Sequence, residues 1–254
     1  MRSLRFLLSR RWVLLALAVV LLGYLAWWLG EWQFHRLSER KERNAVTERN
    51  EAATPVPVGD VLAQGRPVAD SDEWRLVTAT GSYDTDDTVV VRYQTREGQA
   101  GVDVVVPLDT DQGTVLVDRG WVATSNTTAA PDEVPAPPTG EVTVVGWVRA
   151  DGTGDSTKVT DGSTRAVSSV AISDYLDREL LGGFVDLKSE DPPPDKPLAP
   201  TELPDLGNGP HFFYGLQWWF FGLLAVGGFG YLAWDEWRKG RRQDQDSPTA
   251  SPRN

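Results

Sequence analysis

Two long uncharged runs of apolar residues, one near each end of the chain, limit what this sequence can become more than any other feature. Residues 12–29 read WVLLALAVVLLGYLAWWL without a charge. At about 1.5 Å per helical residue they reach roughly 27 Å, close to the thickness of a bilayer's hydrocarbon. Residues 212–234, FFYGLQWWFFGLLAVGGFGYLAW, are a second uncharged run, long enough at about 34 Å to cross with some tilt. The negative mean hydropathy of the whole chain therefore hides a segregated pattern that predicts two transmembrane helices. A cleaved leader is the competing reading of the first run, since Arg2, Arg5, Arg10 and Arg11 precede it. The run exceeds the usual apolar core of about 7 to 15 residues, and it ends in Trp27, Trp28 and Leu29 rather than small residues, so an anchor is expected.

The same four arginines before the first run, and Arg238, Lys239, Arg241 and Arg242 after the second, place both termini in the cytoplasm. Arg36, Arg40, Lys41 and Arg43 run against that rule on the outer side, so the orientation rests on both segments belonging to one hairpin. The expected partition is a basic tail at 1–11, a first transmembrane helix at 12–30, an extracytoplasmic domain at 31–210 that opens with a helical extension at 31–50, a second transmembrane helix at 211–234, and a cytoplasmic tail at 235–254. The location expected is the cell (plasma) membrane, with the lipid bilayer as an obligatory partner.

Residues 31–209 carry 32 acidic and 16 basic side chains, a net charge of −16. Such a domain repels nucleic acid and anionic lipid faces. The absence of cysteine excludes disulfides, thiolate metal sites and a thiol-based copper carrier. Noncovalent haem held by imidazole stays compatible with the composition.

Within the domain, residues 75–80, 88–92, 102–106, 114–118 and 141–148 are rich in Val and Thr and separated by Gly, Asp and Pro, which predicts strands. The fold class expected is a mainly β extracytoplasmic domain, a small antiparallel barrel or sandwich with one short helix, carried on a two-helix transmembrane hairpin. The short helix is expected over 171–181 with Ser173 or Asp174 as its cap. Proline-rich stretches at 131–140 and 191–204 read as connectors, 151–163 as a loop, and Thr54-Pro-Val-Pro as the end of the helical extension. Asp84-Thr-Asp-Asp87 and Asp109-Thr-Asp111 lack the ligand spacing of a calcium loop and read as surface turns.

The chain has two histidines, His35 and His211, both expected near the outer membrane face. His211 stands beside Phe212, Phe213, Tyr214, Trp218 and Trp219, and Trp27, Trp28 and Trp32 lie on the other helix. An imidazole facing so much aromatic surface suits a planar macrocycle, while an ordinary interfacial belt accounts for the same rings. There is no P-loop, HExxH, Gly-x-Ser-x-Gly or cysteine nucleophile, so no enzymatic turnover is expected. Arg119-Gly120-Trp121 interrupts a Val-rich run with a glycine between a cation and a large ring, which reads either as a packed corner or as a contact surface.

Several of these segments, taken in order, resemble the surfeit-locus-one (Surf-one, Shy-one in yeast) family of cytochrome c oxidase assembly proteins. Gly30-Glu-Trp-Gln-Phe-His-Arg36 is similar to the family's Gly-x-Trp-Gln-x-x-Arg; Trp74-Arg-Leu-Val-Thr-Ala-Thr-Gly81 and Val91-Arg92 resemble its first strands; Val115–Val122 resembles its "vLVdRGWV" block; and His211-Phe-Phe-Tyr-Gly-Leu-Gln-Trp218 is similar to its His-x-x-Tyr-Ala-x-x-Trp. Pro210, Gly215 and the longer loop at 151–163 depart from the pattern. The resemblance implies a role in maturing oxidase subunit I, with the haem a synthesis enzymes as further partners and haem a as the group bound. It implies His211 as the ligand of the haem iron, a cover drawn from Tyr214, Trp218 and Trp32, His35 as a second candidate in a shared site, and Arg36 or Arg119 as partners of the propionates. A permanent structural accessory subunit or scaffold with no haem role is the alternative.

Overall fold

The computed structural model describes residues 5–124 and 134–245 and divides into two compact units, residues 1–43 with 206–254, and residues 44–205. The expected connector at 131–140 lies partly outside the described residues.

The first unit is built from helix α1 (Arg10–Glu51), whose residues 44–51 are counted with the second unit, and helix α3 (His211–Gln245). The less exposed positions of α1 recur at steps of four and three from Trp12 through Ala16, Val19, Gly23, Ala26, Gly30 and Gln33 to Leu37. Those of α3 do the same from His211 through Gly215, Trp218, Gly222 and Ala225 to Phe229. This is the spacing of a two-helix seam. The two stripes meet antiparallel: Trp12 lies edge-on to Phe229 at 5.7 Å, Gly222 faces Ala26, and Phe34 packs on Trp219 at 4.9 Å and on Phe212 at 6.2 Å. Glycine is required in the seam because a Cβ at Gly30 would overlap the Trp219 indole, and one at Gly215 would lie in the Phe34 ring. Away from the seam the helices expose Leu17, Val20, Leu21, Phe220 and Leu223, each more than half accessible. Both helices are long and apolar enough to cross a membrane.

The second unit is a closed barrel. Its strands are β1 (Val56–Pro57), β2 (Leu76–Tyr83), β3 (Val89–Arg96), β4 (Gln99–Thr110), β5 (Gly113–Ala123), β6 (Glu141–Arg149), β7 (Ser163–Thr164) and β8 (Phe184–Asp191). Pairing runs β2–β4–β5–β8–β6 and returns to β2, so five strands close on themselves. Among the alternatives expected, this is a barrel rather than a sandwich. It is not purely antiparallel: β5–β8, β1–β2 and β3–β7 pair parallel. The parallel β5–β8 pair is possible because the chain between them is long, running through β6, which is antiparallel to β8, and through helix α2 (Ser169–Leu176). Numbered by barrel strand, the circuit is that of the five-stranded Greek-key barrels.

Alternation along each strand sends Val77, Ala79, Leu108, Val115, Val117, Val144, Val185 and Leu187 into one apolar interior. On the outside, Val89, Val91, Val105, Leu116 and Phe184 are covered by Ile172 of α2 with Val167 and Leu180. Helix α2 begins two residues before the expected start. Ser168, in an extended conformation, caps it by accepting the Ala171 N–H, and Asp151 accepts both the N–H and the hydroxyl of Ser169 at 2.6 Å. Strand β8 was not among the strands expected, because Asp186, Lys188 and Glu190 break its apolar run.

Arg178 binds Asp84 and Asp87 at 2.9 Å and Asp109 as well, which ties the β2–β3 turn and β4 to the end of α2. The two acidic turns are thus joined by an arginine. Beyond β8 the proline-rich strap crosses β5, and Ala199 and Trp121 exchange two backbone hydrogen bonds of 2.8 Å. The strap passes over Gly120 (φ +120°), where a Cβ would overlap the Ala199 carbonyl oxygen.

Candidate functional site

The seam between α1 and α3 is apolar or small at almost every layer, and its exception lies at the start of α3. There His211 donates its Nδ1–H to Oε1 of Gln33 at 2.8 Å. Because an amide oxygen only accepts, this bond fixes the proton on Nδ1 and leaves Nε2 with an open lone pair. Between membrane helices such a bond contributes about 0.6 to 2 kcal/mol, so it orients the ring more than it holds the helices. Of the aromatic side chains near it in sequence, Tyr214 one turn along α3 and Trp32 beside Gln33 are about half exposed, at 48% and 45%, while Phe213, 73% exposed and two residues from His211, turns away from the seam.

The candidate residues fall into three groups. His211 and Trp218, two turns apart on α3, both lie in the seam, and Trp218 packs edge-on against Phe221 at 6.0 Å. Tyr214 is one turn along α3 from His211 and exposed. On α1, Arg36 stacks on Trp32 at 5.8 Å and pairs with Glu39 at 3.0 Å. His35 is exposed and two residues from Gln33, a step of about 200° that turns it away from the seam. Arg119 belongs to the barrel unit and is 2% exposed. Its guanidinium pairs with Glu190 at 3.1 Å, donates to the Pro135 carbonyl at 3.0 Å and lies 5.5 Å from the Tyr83 ring centre. Tyr83 in turn donates to Glu190 at 2.9 Å. Burial, reinforced by the Glu190 charge, raises the Tyr83 phenol above its ordinary range. The ring near Trp121 belongs to a different cation, Arg96 at 5.7 Å.

Sequence reasoning gave no role to Gln33 or to a set of buried acids on the barrel. Gln33 was findable as the polar member of a stripe spaced by three and four. Asp118 on β5 is the register partner of Asp186 on β8, and both are buried. Asp103 on β4 pairs with Arg96 at 3.0 Å, Asp186 with Arg149 at 2.6 Å, and Asp118 accepts only the Gly120 N–H at 3.0 Å among the hydrogen bonds found in the described residues. Burial pushes the Asp118 carboxyl well above the usual range, helped by the charges of Asp103 and Asp186. Burial likewise pushes Asp103 up to about 6 against the pull of Arg96.

The native state therefore holds these protons more tightly than the unfolded chain, whose aspartates titrate near about 3.9. The stability they contribute is fully present below about pH 4 and is lost as pH rises through about 6 and beyond. Asp118→Asn keeps an acceptor for Gly120 and cannot ionise. It is expected to raise the melting temperature of the detergent-solubilised protein by about 3 °C or more at pH 8 and to change it little at pH 4. An equal change at both pH values would show that ionisation of Asp118 is not the cause.

A cleft of about 330 Å³ beside α2 is lined by Arg66, Asp151, Ser169, Asp174 and Glu179, but Asp151 is engaged in capping the helix. Among the described residues no group of three or more His, Asp or Glu side chains is arranged to hold a metal ion.

A closed five-stranded barrel whose sequence is flanked by two helices long and apolar enough to cross a membrane, the second opening on a hydrogen-bonded histidine, fits a membrane protein. The family model for the SURF1 family matches residues 20–223. Over 255 residues the chain is 33% identical to proteins of Mycobacterium bovis and Mycobacterium tuberculosis, each named as an uncharacterized SURF1-like protein, covering 98% of this chain and 93% of theirs. The chain belongs to the SURF1 family, whose members generally serve cytochrome oxidase assembly.

Proposed function

We propose that this protein is a cell-membrane factor that assists assembly of haem–copper cytochrome c oxidase by holding haem a for insertion into subunit I. In this reading α1 and α3 span the bilayer as a hairpin with both termini cytoplasmic and the barrel outside. The apolar side chains exposed along both helices favour lipid as their surroundings. The observation that carries the haem reading is the Gln33–His211 bond among exposed aromatic rings. A ring nitrogen with its lone pair open, beside flat apolar surface, has the donor chemistry that a haem iron and its porphyrin face require.

His211 is the ligand in this reading, Tyr214, Trp218 and Trp32 cover the macrocycle, and Arg36, whose pair with Glu39 is solvent-exposed and open to exchange, is the cation assigned to a propionate. Arg119 is already neutralised by Glu190, and His35 faces away from the seam, so neither is assigned to the cargo. Haem a is cargo here; the protein's part is to bind it, orient it and release it, with no turnover of its own.

The test is the optical spectrum of the detergent-purified protein co-expressed with the haem a synthesis enzymes. The reduced haem a band is expected in the wild type and in His35→Ala, and is expected to fall at least about tenfold in His211→Ala with unchanged protein in the membrane. Equal haem in His211→Ala would overturn the ligand assignment. A wild type without haem would move the function to a scaffold that holds oxidase subunits.

A further inference from the structure

The residue that accepts the His211 proton is itself unusual in its place. Gln33 occupies a seam otherwise filled by Ala26, Gly30 and Leu37, and the amide reaches the imidazole because Gly30 and Gly215 let the two helices approach at this level. Phe34 packs beside it on Trp219 and Phe212, so the backbone carrying Gln33 is held by ring contacts. An imidazole with Nδ1 tied to a carbonyl must direct Nε2 away from that carbonyl.

From this geometry we infer that Gln33 is a positioning residue, one that fixes the His211 tautomer and aims Nε2 at the iron of a planar macrocycle. The inference rests on the proposed role of His211 as a ligand. A mere lock on helix register would use the same bond and leave the same tautomer, but would have no bearing on the affinity or potential of a bound iron.

The decisive experiment uses the full-length protein in micelles, with histidine labelled by nitrogen-15. Without haem, His211 is expected as the Nδ1–H tautomer in the wild type, as a mixture in Gln33→Leu, and again as Nδ1–H in Gln33→Glu, whose carboxylate restores the acceptor. With hemin as the probe, Gln33→Leu is expected to bind about 10- to 100-fold more weakly, and Gln33→Glu to bind with a midpoint potential below that of the wild type. An Nε2–H tautomer in the wild type, or one unchanged in Gln33→Leu, overturns the inference. Hemin bound by the wild type with the same affinity and potential in both variants overturns it too while leaving His211 as the ligand. Failure of the wild type to bind hemin with the expected tautomers intact would instead defeat the cargo assignment. Melting curves of Gln33→Glu guard against loss of the fold.

Discussion

Replacing Arg119 by alanine is expected to destabilise the protein by about 3 to 5 kcal/mol, the usual consequence of removing one partner of a buried ion pair. The side chains of Arg119 and Glu190 are 1% and 4% exposed, so Glu190 cannot recover hydration once the guanidinium is gone. Among the described residues it would keep only the Tyr83 hydroxyl. The same truncation strips the Pro135 carbonyl of its donor and removes the cation from beside the Tyr83 ring. Thermal melting of the solubilised full-length chain measures the loss. Adding Glu190→Gln to Arg119→Ala is expected to restore part of it, since the amide removes the uncompensated charge. A loss under about 1 kcal/mol, or no recovery in the double variant, would show that the pair is not what holds β5 to β8 at this end.

Gly120→Ala is the second large effect, by a steric route. Its backbone sits at φ +120°, which an L side chain rarely adopts, and the added methyl would overlap the Ala199 carbonyl oxygen. Strain of this kind costs about 1 to 3 kcal/mol before the overlap is counted. Relief requires the strap to leave β5, which breaks both Trp121–Ala199 backbone bonds. A melting temperature lowered by about 6 °C or more, together with new protease cleavage between residues 192 and 205, is the expected result. Unchanged cleavage would mean that β5 yields instead of the strap.

The Arg-Gly-Trp triplet shows how much was legible beforehand. Its interruption of a Val-rich run was plain, and a packed corner was one of the two readings offered. The partners were not legible, because Glu190 and Ala199 lie more than seventy residues downstream and are brought there by a crossover that no local pattern announces. The strands rich in Val and Thr, from β2 to β6, could be placed, with ends off by up to about five residues, whereas β8 could not, since charged side chains at Asp186, Lys188 and Glu190 mask the inward Val185 and Leu187. Helix α2 was recognised, but its start was misjudged because Asp151, eighteen residues away, completes the cap. At the histidine the aromatic setting was evident from composition. The Gln33 bond was hidden in a spacing of threes and fours that becomes meaningful only once two helices are known to face each other.

Arg178 has a consequence for where such a domain can work. Three carboxylates from two segments, the β2–β3 turn and β4, converge on one guanidinium, a counter-ion that is encoded in the chain and travels with it. Extracellular modules that gather acids around a divalent ion stiffen or slacken with the supply of that ion. Here the neutralising charge cannot be washed out, so a chelator leaves this junction as it was.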